Sequence, residues 1–215
     1  MSRLFLLSLL LTAAPLRADE WWAWGMLEFR RTEDSATWLF LANRLDEEDG
    51  PILQLISPRH RQALLPWLDL GLGLSLLNIE SPTTGERYRQ LRPELELNPH
   101  INLGPQLRLE LRNRMEWRRN ESEEIDVSRL RHRLQASWTF KQPIGPLTRY
   151  FASFEWMTDM PNHVPLENRV LPIGLTFRLS DQADLDLFYM LSALRQQAEW
   201  SRHESILGTY LRLRF

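Results

Sequence analysis

The sequence predicts an all-β protein, an antiparallel up-and-down transmembrane β-barrel of about 10–12 strands behind a cleaved signal peptide. Three observations predict it. The first is strict alternation across residues 103–140, where Arg108, Glu110, Arg112, Arg114, Glu116 and Arg118 interleave with Leu107, Leu109, Leu111, Asn113, Met115 and Trp117. After the acidic turn 120–124, Arg129, Arg131 and Arg133 interleave with Leu130, His132 and Leu134. A period of two sorts these sets onto opposite faces of a sheet. An apolar side to lipid and a charged side to the lumen is the pattern of a membrane barrel strand. The second observation is the start of the chain. Arg3, the apolar run 4–14 and Ala18 have the layout of a secretory signal peptide, which divides the chain into a signal at 1–18 and a single barrel domain at 19–215. The third is that no later apolar segment approaches the ~20 residues of a membrane helix. A chain in the membrane must then close a barrel to satisfy its backbone.

Composition narrows the function classes. The 215 residues contain no cysteine, which excludes a disulfide framework and a lipidated N-terminal cysteine. Removing Arg3 and Arg17 with the signal leaves 24 of the 26 basic residues against 28 acidic ones, a net charge of −4. That balance gives no basic patch for nucleic acid. Lys141 is the only lysine, so the positive charge is carried by arginine.

Taken in order, residues 21–31 form the first strand, with Glu28 and Arg30 on one face and Leu27 and Phe29 on the other. Residues 36–45 follow with weaker alternation, then an acidic loop, 46–50. The stretch 52–60 is a doubtful strand because Pro58 interrupts it. Residues 67–77 put Leu68, Leu70, Leu72, Leu74 and Leu76 on one face and Trp67, Asp69, Gly71, Gly73 and Ser75 on the other, small residues leaving room for arginines. Residues 86–97 turn Gln90, Arg92, Glu94 and Glu96 inward, and 98–100 is a turn into the long strand pair. After a turn at 142–146 come strands at 147–158 (Arg149, Ser153 and Glu155 inward), 167–179 (Gly174, Thr176, Arg178), 184–193 (Asp184, Asp186, Ser192) and 206–215 (Tyr210, Arg212, Arg214). Short turns alternate with longer polar loops, as in outer-membrane barrels. The strands number eleven. Bacterial single-chain barrels have an even number, so ten or twelve is expected, with 52–60 and 36–45 the suspects. Pro93 and Pro172 fall mid-strand, where each removes a ladder hydrogen bond.

A soluble barrel would use the same alternation with its leucines inside. Strand length favours the membrane, since soluble strands average five or six residues. So does the placing of Trp67, Trp117, Trp138, Tyr150 and Trp156 towards strand ends, as an interfacial girdle requires. The charged face can also pair across strands, Glu94 and Glu96 with Arg108 and Arg112, and Glu116 with Arg129 or Arg131. Unpaired buried charge is costly, so such pairing suits a narrow lumen.

The final alternating strand ending on Phe215 resembles the assembly signal of Gram-negative outer-membrane barrels, which implies outer-membrane lipid and the barrel assembly machinery as partners. Arg108–Arg114, Arg129–Arg133, Glu155, Asn168-Arg169, Gly174 and Tyr189 resemble DUF2490, a family of uncharacterised bacterial proteins, over residues 87–215 and more loosely before them. The signal peptide and the terminal Phe215 give the expected location, the outer membrane reached through the periplasm. The resemblance implies a barrel. It supplies no activity and no functional residue.

Candidate chemistry is sparse. The ladder of Arg108, Glu110, Arg112, Arg114, Glu116, Arg118, Arg129, Arg131 and Arg133, with Glu94, Glu96 and Glu155, is either a salt-bridged lumen filled by side chains or the lining of an anion pore. His203 and Ser205 share a strand face and resemble the base and nucleophile of outer-membrane lipid A deacylases, although Ile206-Leu207 follows where that family has Asn-Ala. The five histidines are scattered without metal-ligand spacing, and no cofactor motif is present. The expected function is a non-enzymatic structural barrel or narrow pore, with the lipid-modifying enzyme as the alternative.

Overall fold

A computed structural model describes residues 18–46, 50–81, 84–121, 127–196 and 199–215. Residues 1–17 of the expected signal peptide, most of the acidic loop 46–50 and most of the turn 120–124 lie outside these residues. Among the described residues eleven strands close into one barrel: β1 (Glu20–Arg31), β2 (Ser35–Asp46), β3 (Gly50–Leu65), β4 (Leu68–Glu80), β5 (Arg87–Leu103), β6 (Leu107–Asn120), β7 (Val127–Ile144), β8 (Leu147–Asp159), β9 (Val164–Ser180), β10 (Ala183–Gln196) and β11 (Glu199–Arg214). Sequence neighbours pair antiparallel. The barrel closes where β1 runs parallel to β11, with Glu20 opposite Ile206 and Glu28 opposite Arg214. An odd strand count makes this unavoidable, because the last strand then runs in the direction of the first. The even number expected from bacterial barrels is therefore corrected to eleven, and both suspect strands are present within β2 and β3.

The prolines explain why β3 looked doubtful. Pro58 pairs in register with Leu39 on the β2 side, while the β3–β4 ladder skips from Ile56 to Arg59. The β5–β6 ladder likewise skips Pro93 and Pro99 without losing register, so β5 continues through 98–100 and turns only at Gly104, whose φ of 80° suits glycine. Pro172 is handled by bulges, since register shifts flank it on both the β8 and the β10 side. A further bulge between Glu28 and Arg30 shifts the β1–β2 register. Arg30 therefore leaves the Glu28 face, and Arg31 reaches back to Glu28 at 2.6 Å instead. The last connection is also shorter than the sequence suggests, because β11 begins at Glu199 within the expected loop 195–202.

Strands run from 12 residues in β1 to 18 in β7, longer than the ~9–11 that a tilted transmembrane strand needs. Leu72, Leu74, Leu76, Leu91 and Leu97 are exposed on the outer face. Trp21, Trp117 and Trp200 are exposed near the end that carries the longer loops, and Phe29, Trp67, Trp138 and Tyr150 near the end with short turns. Two aromatic bands around an aliphatic belt match the two interfaces of a bilayer. The outward pair Asn113 and His132 is polar, but His132 Nδ1 and Asn113 Oδ1 bond at 2.7 Å and the Asn113 amide N–H donates to the Leu97 carbonyl, which lowers the cost of placing them in the belt.

Candidate functional site

The polar positions of β3 to β9 converge in the lumen. Glu116 is 0 % exposed and gathers five arginines, Arg131 at 2.9 Å, Arg118 and Arg129 at 3.0 Å, and Arg92 and Arg114 at 3.7 Å. Glu155 holds Arg112 at 2.6 Å and Arg131 at 2.9 Å. Glu94 takes Arg59 at 2.7 Å, Arg114 at 3.1 Å and the Ser75 hydroxyl at 2.7 Å. Glu96 takes Arg114 at 2.5 Å and Arg59 at 3.3 Å. Each carboxylate shared between guanidinium groups lowers the cost of burying them.

The register corrects part of the expected pairing. Glu94 faces Glu116 and Glu96 faces Arg114 across the β5–β6 ladder, so neither meets Arg108 or Arg112. Arg108 instead holds Glu110 at 3.3 Å on its own strand. Arg59 of β3 lay in a segment whose alternation was poor, yet it ties Glu94 to Glu96. Gly71 and Gly73 sit beside Glu96 and Glu94, so the absence of a side chain there makes space for these carboxylates.

The other side of the lumen is aromatic, a feature that the charge ladder concealed. Trp22, Phe151, Leu171, Phe188, Met190 and Ile206 form a buried apolar cluster, with Trp24 and Tyr210 packed against it. Trp24 lies 5.0 Å from Phe188, 5.3 Å from Trp22 and 6.0 Å from Tyr210, centroid to centroid. Gly174 and Gly208 make this possible, because a Cβ at either position would fall inside the ring of Phe151 or Phe188. The signal in the sequence was Trp22, Trp24 and Met26 at period two in β1, and a glycine opposite each phenylalanine. Arginines bind the two halves together: Arg169 stacks over Trp22 at 4.8 Å, Arg44 over Trp22 at 4.5 Å and Arg59 over Phe40 at 5.2 Å.

Between the halves lies a cavity of about 390 Å³. Its lining includes Glu28, Arg31 and Ala36, the inner residues beside the first short turn, but none of Gln90, Arg92, Glu116, Arg118 or Arg129 towards the other end. A larger concavity of about 1110 Å³ draws mainly on outward positions of β1 to β6, among them Leu41, Ile56, Leu76 and Leu91, and belongs to the outer surface.

Ser205 faces outward at the β1–β11 seam. Its hydroxyl donates to the Asp19 carboxylate at 2.9 Å, and its backbone N–H donates to the same oxygen at 2.8 Å. The His203 side chain lies outside the described residues. Phe215 ends the chain at the short-turn end, 78 % exposed, with its N–H donating to the Glu28 carbonyl at 3.1 Å.

A family model described as "Protein of unknown function (DUF2490)" matches residues 13–203. The chain belongs to that family. The match extends further towards the N-terminus than the motifs at 87–215 and stops before the end of β11. No curated protein matches the sequence. Among solved structures, a bacterial polysaccharide outer membrane secretin aligns at TM-score 0.51 and 10 % identity, over 87 % of this chain and 78 % of its own. An anion-selective porin from Comamonas acidovorans aligns at TM-score 0.41 and 13 % identity over 85 % of this chain, and this chain spans 54 % of the porin. OmpT of Vibrio cholerae aligns at TM-score 0.43 and 9 % identity, over 82 % of this chain and 64 % of its own. At these identities the likeness is one of fold, that of an outer-membrane β-barrel.

Proposed function

We propose that this family member is an outer-membrane barrel, exported behind a signal peptide cleaved after Ala18, whose lumen is held shut by its own arginines and carboxylates. It serves as a non-enzymatic structural barrel and not as an open pore. The observation that carries this reading is Glu116, a carboxylate without solvent exposure drawing five arginines from β5, β6 and β7 into one cluster. Long guanidinium side chains committed in this way fill the cross-section at that level, and the aromatic cluster fills the opposite wall. The Ser205 hydroxyl donates to the Asp19 carboxylate, and the deacylase-like use of His203 and Ser205 stands as the alternative reading. Recording from refolded protein in planar bilayers tests the proposal. The expected trace has no stepwise conductance at moderate voltage. Stable, anion-selective steps from wild-type protein would show an open pore and defeat it.

A further inference from the structure

We infer that the lumenal cavity is a binding site for a small organic anion with a flat aromatic body, entered from the short-turn end of the barrel. This goes beyond a closed barrel, since a lumen can be shut to ions at one level and still hold a ligand below it.

The cavity has two unlike walls. Seven aromatic residues line it, with Trp24, Phe40, Phe188 and Tyr210 in mutual ring contact. Nine arginines line it against five carboxylates, Glu28, Glu96, Glu110, Glu155 and Asp186. Several of those arginines have further partners behind the wall. Arg59 and Arg114 reach Glu94, Arg61 reaches Asp69 at 3.6 Å, and Arg169 reaches Glu167 at 2.5 Å. Arg133 is different. Glu155 stands across the ladder from it but is already held by Arg112 and Arg131. Among the described residues no carboxylate lies within ion-pair distance of Arg133, and its buried Nε, like those of Arg112 and Arg212, has no hydrogen-bond partner. The lining thus carries more arginines than carboxylates, and among the described residues Arg133 is the lining arginine that forms no ion pair.

A volume of about 390 Å³ falls within the ~300–1,000 Å³ typical of ligand sites, which pair an apolar wall with a few placed polar groups. Chemistry then selects the ligand. Tryptophan and tyrosine faces favour a planar ring. An unpaired guanidinium in a confined site favours a carboxylate, through charge-assisted, forked hydrogen bonds. A small aromatic acid meets both demands, whereas its neutral alcohol lacks the head and acetate lacks the ring.

Equilibrium binding to the barrel in lipid nanodiscs tests this with three probes: 4-hydroxybenzoate, 4-hydroxybenzyl alcohol and acetate. The aromatic acid should saturate one site per barrel, with the alcohol and acetate weaker by about tenfold or more. Arg133→Gln should weaken the acid by about tenfold while leaving the alcohol unchanged, and Trp24→Leu should weaken both. Arg133 holds no ion pair, so its replacement should preserve heat-modifiable mobility on gels. If either variant fails to fold, the three-probe comparison on wild-type protein decides alone. Absence of saturable binding, equal binding of acid and alcohol, or an unchanged affinity in folded Arg133→Gln would each overturn the site. None of these readings depends on whether the barrel conducts.

Discussion

Replacing Glu116 by glutamine should be the most damaging single isosteric change in the lumen. The carboxylate is the shared partner of five arginines, and the consequences differ among them. Arg131 keeps Glu155 at 2.9 Å, Arg114 keeps Glu94 and Glu96, and Arg129 keeps Glu167 at 3.9 Å. Arg92 is left with Gln90 alone, and Arg118 has no other carboxylate among the described residues. Two guanidinium groups, 9 % and 19 % exposed at the side chain, are thus left without an ion-pair partner among the described residues. Removing one partner of a buried pair costs about 3–5 kcal/mol, and Glu116→Gln should lie in that range. Arg118→Gln should cost less, about 1.5–3 kcal/mol for its charge-assisted bonding to the carboxylate, because Glu116 retains four arginines. Adding Arg118→Gln to Glu116→Gln should then recover part of the loss, since it removes one stranded cation. Urea unfolding in phospholipid vesicles, followed by tryptophan fluorescence and heat-modifiable gel mobility, measures all three. Equal, small effects of the acid and the arginine would mean that water screens the cluster, and the closed lumen would fall with it.

Four further outcomes follow from the same geometry. Leu72→Arg, at an outward position that is 52 % exposed in the middle of β4, should destabilise the barrel in vesicles by roughly 2–4 kcal/mol and far less in short-chain detergent; equal losses in both would argue against lipid contact. Gly208→Ala should cost about 1–3 kcal/mol because its Cβ meets the Phe188 ring, and Phe188→Leu in the same chain should restore part of the loss in the urea midpoint. Deleting Phe215 should lower the amount of heat-modifiable protein in outer-membrane fractions while leaving refolding in vitro largely intact, since the side chain is 78 % exposed; unchanged membrane levels would remove it as an assembly signal. Ser205→Ala should leave the acylation pattern of outer-membrane lipids unchanged by mass spectrometry, and a shift in that pattern on its loss would favour the enzyme reading.

Much of the barrel was legible in the chain because a strand's side chains alternate with a period of two, whatever surrounds it. The leucines of β4, the charges of β5 to β7 and the inward set Asp184, Asp186 and Ser192 of β10 could all be sorted onto faces from that period alone. What alternation cannot carry is register. Shifts at Glu28/Arg30 and around Pro172 change which residues share a face, and they depend on hydrogen bonds to neighbouring strands. Glu94 and Glu96 met Arg114 across the β5–β6 ladder and Arg59 from β3 two strands away, partners that depend on register and not on alternation. The strand count depended on the same ladders: β3 reads poorly by itself, yet it pairs along its length with β2, and Pro58 costs it one rung on the β4 side. The aromatic wall was hidden for a related reason. Phe151 and Phe188 can turn their rings inward because Gly174 and Gly208 open the space they occupy, and those glycines come from other strands. Sequence determined the strands and the compositions of their two faces, since both are local properties. Tertiary structure decided which charges neutralise each other and left Arg133 unmatched, because Coulomb energy depends on distances between residues that the chain keeps far apart.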